Sequence, residues 1–508
     1  MSVGTLTIIS LIAKGIGFAK QATIAAYFGA SIDADIYFLA AGIVGNLLYA
    51  IDTALRTVVL PMYSKKLSDR GDAEASKLVS SLLILFAFVA VVIMLIVILI
   101  APFIAKLIAF SYDASSLHTL SGYIRIISVT LLFSVIITIF AAVLNANRQY
   151  AFPRAASMLQ SIIAILSVII FYKHLGILSL VFALPVAYFL QTIVMFLFIK
   201  TKTLYKFSWQ YPDSDSKIAL RRMLPVFLGS ATLQINQIVN KIISSSLETG
   251  SVSALSYSGT LIDFVTVIFI SSVTTVFFTE LSSTAATRDI KNHKLLIRRG
   301  VASLTLLLVP ISVISVMFAK DIIVVVFQRG AFDEEASILT SRALMGYSVG
   351  FLFYGLRAFL DRSFYSFGDT KTPLINSVIT VIVNIVLSIV LSRFLGVGGI
   401  AFGASIAAIT SVTVLCYLLK RKLNGLGFRK LLPTMVKIIS ATVIMVIGLS
   451  ILITMPYFGS LISLNRFIIT TMVGGSLYIL VLVLLRCEEL LKLKELLVVK
   501  LRKRKKTI

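Results

Sequence analysis

A chain of 508 residues, 58% hydrophobic and only 14% charged, with a mean hydropathy of +1.00, departs from soluble domains, in which about 25% of residues are charged. Most of it must lie in lipid. The formal charge of +25 does not mark a nucleic-acid face, because Lys and Arg cluster in alternate short breaks between apolar runs, the pattern that orients membrane proteins.

Fourteen apolar stretches follow one another, beginning near Gly4, Ala34, Ser76, Ser121, Ala155, Ile177, Met223, Ser253, Val301, Ser341, Leu374, Gly398, Val436 and Leu461. A hydrocarbon core of about 30 Å takes roughly 20 residues of helix. The runs lack the polar/apolar alternation of a barrel, so the expected class is an all-α polytopic membrane protein with about 14 transmembrane helices. The first stretch has no basic segment before it and no small-residue cleavage site after it, so it stays as a helix. It carries Lys14 at mid-helix and Lys20 nearer the outer half.

The second stretch opens at Asp35 and holds Asp52 and Arg56 at i, i+4, where they can pair. The seventh places Gln234, Gln237 and Lys241 on one helical face, and the eighth carries Asp263. Arg357 and Asp361, near the inner end of the tenth, read as an interfacial ion pair. Ionisable groups within spans are costly and functional by default, which makes Lys14, Lys20, Asp52, Arg56, Lys241 and Asp263 candidates. With a cytoplasmic N-terminus the basic loops all fall inside, and both termini are cytoplasmic. Cys416 and Cys487 offer no disulfide or metal spacing, and His118, His174 and His293 are scattered over three loops, so no metal site is expected.

The chain also repeats itself. The stretch from Asn145 matches that from Phe364, so that Pro153 meets Pro373 and Gly176 meets Gly396, an offset of 220; "KQATIAAYFG" from Lys20 matches "KIISSSLETG" from Lys241, an offset of 221. The expected division is a six-helix lobe over 1–203, a second over 217–422, two additional helices over 423–487, and a basic cytoplasmic tail over 488–508 suited to anionic lipid headgroups. Six is even, so the lobes form a parallel repeat, a transporter plan with its site near the midplane. "GDTKTP", Gly368 to Pro373, reads as a joint: Gly368 and Asp369 supply turn chemistry and Pro373 suits a first helical turn. No phosphate-binding loop, nucleophile elbow or H-E-x-x-H occurs, so the chain reads as neither an enzyme nor a cofactor binder. Its drive is the membrane potential, a coupling ion or the substrate gradient.

The stretches "KGIGFAKQATIAAYFGASIDADIYFLA" and "LETGSVSALSYSGTLIDF", with "QRGAFDEEA" and "FYSFGDTKTP", resemble the MurJ (MviN) lipid II flippase family of the multidrug/oligosaccharidyl-lipid/polysaccharide exporter superfamily. The resemblance covers essentially the whole chain. It implies a monomeric cell-membrane transporter that moves a polyprenyl-diphosphate-linked glycan, lipid II or a related polysaccharide precursor, to the outer leaflet by alternating access through a cationic cavity. Under it Lys14 and Lys20 stand where the family has arginines, Asp35 matches an acidic position, and Asp52 replaces a glutamate. Gly259 and Thr260 stand where the family has Asp-Arg, and Gly42 stands near a family basic position; Lys241 and Arg56 can restore the cations. The alternatives are a drug/cation antiporter, which favours acidic cavity residues, and a membrane-embedded glycan polymerase or ligase, which needs a larger outer loop than the segment from Lys320 to Arg342.

Overall fold

The computed structural model describes residues 3–202, 208, 213–455, 458 and 461–490, and among them it is helical, with no strand. The tail beyond residue 490, and with it the expected lipid contact of Lys500 to Ile508, lies outside the described residues. Helices contact one another in two compact units, Met1–Ser256 with Arg329–Ala336, and Tyr257–Gln328 with Ser337–Ile508.

The first unit contains α1 (Val3–Phe28), α2 (Ile32–Ile108), α3 (Ala114–Ser128), α4 (Thr130–Ala146), α5 (Ala151–Ala156), α6 (Met158–Leu175), α7 (Leu178–Thr201), α8 (Ser214–Ser245) and the start of α9 (Ser251–Val265). A straight helix of α2's 77 residues would be roughly 115 Å long, far more than a bilayer. Gly71 divides it with φ 78° and ψ −177°, a conformation nearly reserved for glycine. The two arms correspond to the second and third expected spans. Helix starts follow local chemistry: Ser31 accepts from the Ala34 amide, Asp113 from those of Ser115 and Ser116, and Asp213 from that of Ser216, each satisfying an otherwise orphaned donor.

Leu39, Leu55, Leu82, Phe86, Leu131, Ile139 and Leu180 form the buried interior of this unit. Phe171, Phe182, Phe189 and Ile170 stay exposed, as a lipid-facing surface requires. Helix α8 is tied to both arms of α2. Lys66 pairs with Asp215 at 2.6 Å, the Ser81 hydroxyl donates to Ser216 at 3.0 Å, the Ser230 hydroxyl to the Ala50 carbonyl at 3.2 Å, and the Ser245 hydroxyl to the Ile108 carbonyl at 2.7 Å. Spatial grouping thus follows contact: α8 opens the second sequence repeat, yet it packs within the first unit.

The second unit continues α9 into a π turn (Thr266–Ile270), then α10 (Ser271–Ala286), α11 (Ile290–Met317), α12 (Ala319–Phe327), the body of α13 (Glu334–Ser348), α14 (Phe351–Ser366), α15 (Lys371–Leu395), α16 (Val397–Lys422), α17 (Leu432–Thr454) and α18 (Ser463–Leu484). Ile297, Leu304, Leu308, Phe359, Leu360 and Leu415 build one buried cluster, and Ile438, Met445, Leu449, Tyr478 and Leu482 build a second against α17 and α18. The Tyr478 hydroxyl donates to the Leu306 carbonyl at 2.9 Å. Helices α13 and α14 meet at a 45° bend.

This is an all-α polytopic membrane fold. Among the described residues eleven helices are long and apolar enough to cross a membrane, or up to twelve with the bent pair of α13 and α14, so the count of fourteen is not confirmed. The lower count takes α2 as one helix despite its break, and omits α8, which Gln234, Asn236, Gln237, Asn240 and Lys241 make polar.

The sequence repeat reappears in the backbone. Gly176 (φ 51°, ψ −133°) and Gly396 (φ 55°, ψ −135°) adopt the same conformation, and each donates its amide four residues back, to Tyr172 and Ser392, at 2.9 Å. Arg148 and Gly368 likewise share positive φ, 60° and 72°. "GDTKTP" is the expected joint: Asp369 accepts from the Thr372 amide at 3.0 Å and from Lys422 Nζ at 2.6 Å, and Pro373 sits in the first turn of α15.

Candidate functional site: a cationic cavity in the first unit

Two helices of the first unit bring lysines to one cavity of about 290 Å³. Lys20 comes from α1 and Lys241 from α8, and Tyr37, Phe38, Gly42 and Gly45 of α2 form the facing wall with Tyr188 of α7. Among the described residues no Asp or Glu lines it. Lys241 Nζ donates to the Phe38 carbonyl at 2.9 Å. Its side chain lies over Gly42, where an added Cβ would collide with Lys241 Cε and Nζ. The missing side chain on α2 is thus what makes room for a cation from α8, near the position where the resemblance expects a basic residue on α2. Among the described residues Lys20 has no hydrogen-bond or ion-pair partner.

The other expected residues take different places. The Asp35 carboxylate, 1% exposed, receives the Gly250 amide on one oxygen and the Ser253 amide on the other, each at 2.7 Å. It caps the start of α9, where a negative charge is favoured, and it lines neither cavity described here. Asp52 pairs with Arg56 Nε at 2.7 Å and accepts the Thr138 hydroxyl at 2.5 Å. This network lines a second cavity of about 310 Å³, which shares the wall residues Gly45, Leu48 and Tyr188 with the first. Lys14 is exposed on α1 and lines neither cavity. Asp263 is exposed on α9 within the second unit, three residues before the π turn. Arg357 and Asp361 do pair, at 3.9 Å.

Sequence reasoning passed over the uncharged polar residues Gln160, Gln191, Thr138 and Tyr188, which line the second cavity. A glutamine such as Gln191, in an apolar run and 2% exposed, is the signal that could have found them, since an amide in lipid needs a polar partner. The segment "QRGAFDEEA" is solvent-exposed over most of its length, with only Phe332 and Ala336 buried, and it is anchored at its glycine. The Ala331 amide donates to the Ala26 carbonyl at 2.7 Å, Phe332 is 1% exposed, and Gly29 and Gly330 approach the opposing backbone so closely that a Cβ on either would strike it. Both glycines have positive φ, 58° and 60°.

A family model described as "Lipid II flippase MurJ" matches residues 24–473. A protein of Buchnera aphidicola subsp. Schizaphis graminum, named probable lipid II flippase MurJ, is 29% identical over 440 residues, covering 83% of each chain. One from Synechocystis with the same name is 27% identical over 461 residues, covering 87% of this chain and 85% of its own. Among solved structures, a lipid II flippase MurJ in an inward closed conformation superposes with a TM-score of 0.82 at 23% identity, over 96% of this chain and 99% of that one. An inward-facing multidrug resistance MATE family transporter does so with a TM-score of 0.71 at 13% identity, over 83% and 98%. At these identities the two structures establish the fold alone.

Proposed function

From a chain that belongs to the lipid II flippase MurJ family, we infer a transporter, not an enzyme, that moves lipid II from the inner to the outer leaflet of the cytoplasmic membrane. It works by alternating access, with both termini cytoplasmic and as a monomer. The observation that carries this reading is the pair Lys20 and Lys241 in a cavity without carboxylates. Two ammonium groups out of bulk water are costly unless an anion joins them. A polyprenyl diphosphate, with one negative charge on each phosphate, is such an anion, whereas a cationic drug would meet repulsion. The antiporter reading is therefore not favoured, and the MATE likeness supports only the shared fold. Asp52 with Arg56 lies within reach of the same headgroup, Asp35 positions α9 beside it, and Lys14 and Asp263 lie on its route. The six-helix repeats over 1–203 and 217–422 supply the alternating elements, with α8 moving with the first, against which it packs. A coupling ion and anionic lipids at the basic tail complete the partners.

The test is reconstitution: purified protein in vesicles loaded with lipid II on one leaflet, read by an impermeant enzyme acting on the exposed glycan. Transfer is expected with the native chain and strongly reduced in Lys20→Gln. Transfer no faster than in protein-free vesicles would reject the reading.

A further inference from the structure

The cavity that adjoins the lysine pocket has a different chemistry, and no charge is left over in it. Asp52 and Arg56 neutralise each other at 2.7 Å. The Gln160 amide donates to the Gln191 carbonyl oxygen at 2.8 Å, and the Thr138 hydroxyl is spent on Asp52. These bonds fix the side chains and still leave hydrogen-bonding capacity: an amide has two donors and two acceptor positions, and a guanidinium held through Nε keeps its terminal N–H groups. An anion finds no net positive field there. An alkyl tail would strand the polar groups of Gln191, 2% exposed, and of Asp52, a desolvation loss with no return. A ring carrying hydroxyl and amide groups, both donor and acceptor, matches these walls.

Resting on the flippase reading above, we propose that this second cavity is the sugar subsite, holding the pyranose next to the diphosphate while Lys20 and Lys241 hold the phosphates. The order follows from adjacency: the two cavities share the wall residues Gly45, Leu48 and Tyr188, so neighbouring groups of one headgroup occupy neighbouring chambers. Gln160 and Gln191 then set the preference for a glycan-bearing lipid over a bare polyprenyl diphosphate, and the lysines bind both alike.

The experiment compares binding of two lipids, polyprenyl diphosphate and the same lipid carrying its disaccharide, to the full chain in nanodiscs. The native chain is expected to favour the glycan lipid by about tenfold, the effect of a few net hydrogen bonds. Gln191→Leu and, from another helix, Gln160→Leu should each reduce that preference to below about threefold with affinity for the bare lipid unchanged. Gln191→Asn, which keeps the amide, should retain part of it. Lys20→Gln should weaken both lipids equally. A preference that survives both leucine variants overturns the subsite, as does an equal loss of both affinities, which would mark the glutamines as packing residues. A native chain that binds both lipids equally removes the subsite and leaves the flippase reading standing; one that binds neither removes both.

Discussion

Lysine and glycine divide one task at the floor of the first cavity. Lys241 rests against the Phe38 carbonyl only because Gly42 offers no Cβ, so Gly42→Ala should push the ammonium out of that position. We expect this variant to fold, because the obstructing atoms are the end of a flexible side chain, and to lose about tenfold in flipping; Gly42→Ala combined with Lys241→Ala should be no slower than Lys241→Ala by itself, and a further loss in the double variant would show that Gly42 acts other than through that lysine. For Lys20 the charge matters more than the shape. Lys20→Arg should retain transport while Lys20→Gln loses it by at least about tenfold, since a charge-assisted hydrogen bond contributes about 1.5–3 kcal/mol; equal rates in the two variants would refute a role in anion binding. Both lysines were legible in the sequence, because a charge in an apolar run has few explanations. The work of Asp35 was not. Its partners, the amides of Gly250 and Ser253, lie more than two hundred residues away, and nothing local announces that a carboxylate will cap another segment's helix.

Helices and their joints repeat what the residues dictate. Gly176 and Gly396 have open space where a Cβ would stand, so alanine at either position meets only backbone strain, which costs of order 1–3 kcal/mol. Thermal unfolding should therefore show nearly the same loss for Gly176→Ala and Gly396→Ala, and Gly330→Ala should lose more because its Cβ also strikes the Ala26 carbonyl. At the joint before α15, partial burial pushes the Asp369 carboxyl upward, but the bonds from Lys422 and Thr372 outweigh it and hold the group below its ordinary value. A carboxylate lowered in this way stabilises the fold above the ordinary carboxylate pKa of about 3.9 and loses that contribution as pH falls through the lowered value. Asp369→Asn should accordingly unfold earlier than the native chain at pH 7, and the gap should close as pH falls below the ordinary carboxylate range. The repeat itself was readable, since Pro153 with Pro373 and Gly176 with Gly396 mark equivalent turns. The continuity of α2 was not: the polar run around Gly71 reads as a loop, and the helix resumes directly beyond a single residue of unusual backbone.

Across the whole molecule, the question is what drives the cycle. A diphosphate with about two negative charges gains roughly 4–5 kcal/mol from an inside-negative potential of 100 mV if it crosses the whole field outward. The same field draws an empty cavity with two ammonium groups back toward the cytoplasm, so both halves of the cycle run downhill. Collapsing the potential with valinomycin and matched potassium, with ATP held constant, should leave lipid II on the inner leaflet; unchanged surface exposure would transfer the drive to an ion gradient or to consumption of the product. At this scale the sequence conveyed the membrane class and the family. It did not convey that α8 belongs spatially with α2, because contact between distant spans depends on matched serine and carbonyl positions, such as Ser230 with Ala50, that have no periodic signature.

The attachment of α8 along both arms of α2 also orders the protein's own birth. Until α8 has left the ribosome, the groups of α2 that will bond to it, Lys66 and Ser81 about the Gly71 break and the Ala50 and Ile108 carbonyls along the arms, lack their partner, so the first six helices are an unfinished intermediate. A chain truncated after α7 should be degraded rapidly in cells, and co-expression of a separate fragment beginning at α8 should lengthen its lifetime. Persistence of the truncated piece by itself would show that the insertion machinery does not wait for α8.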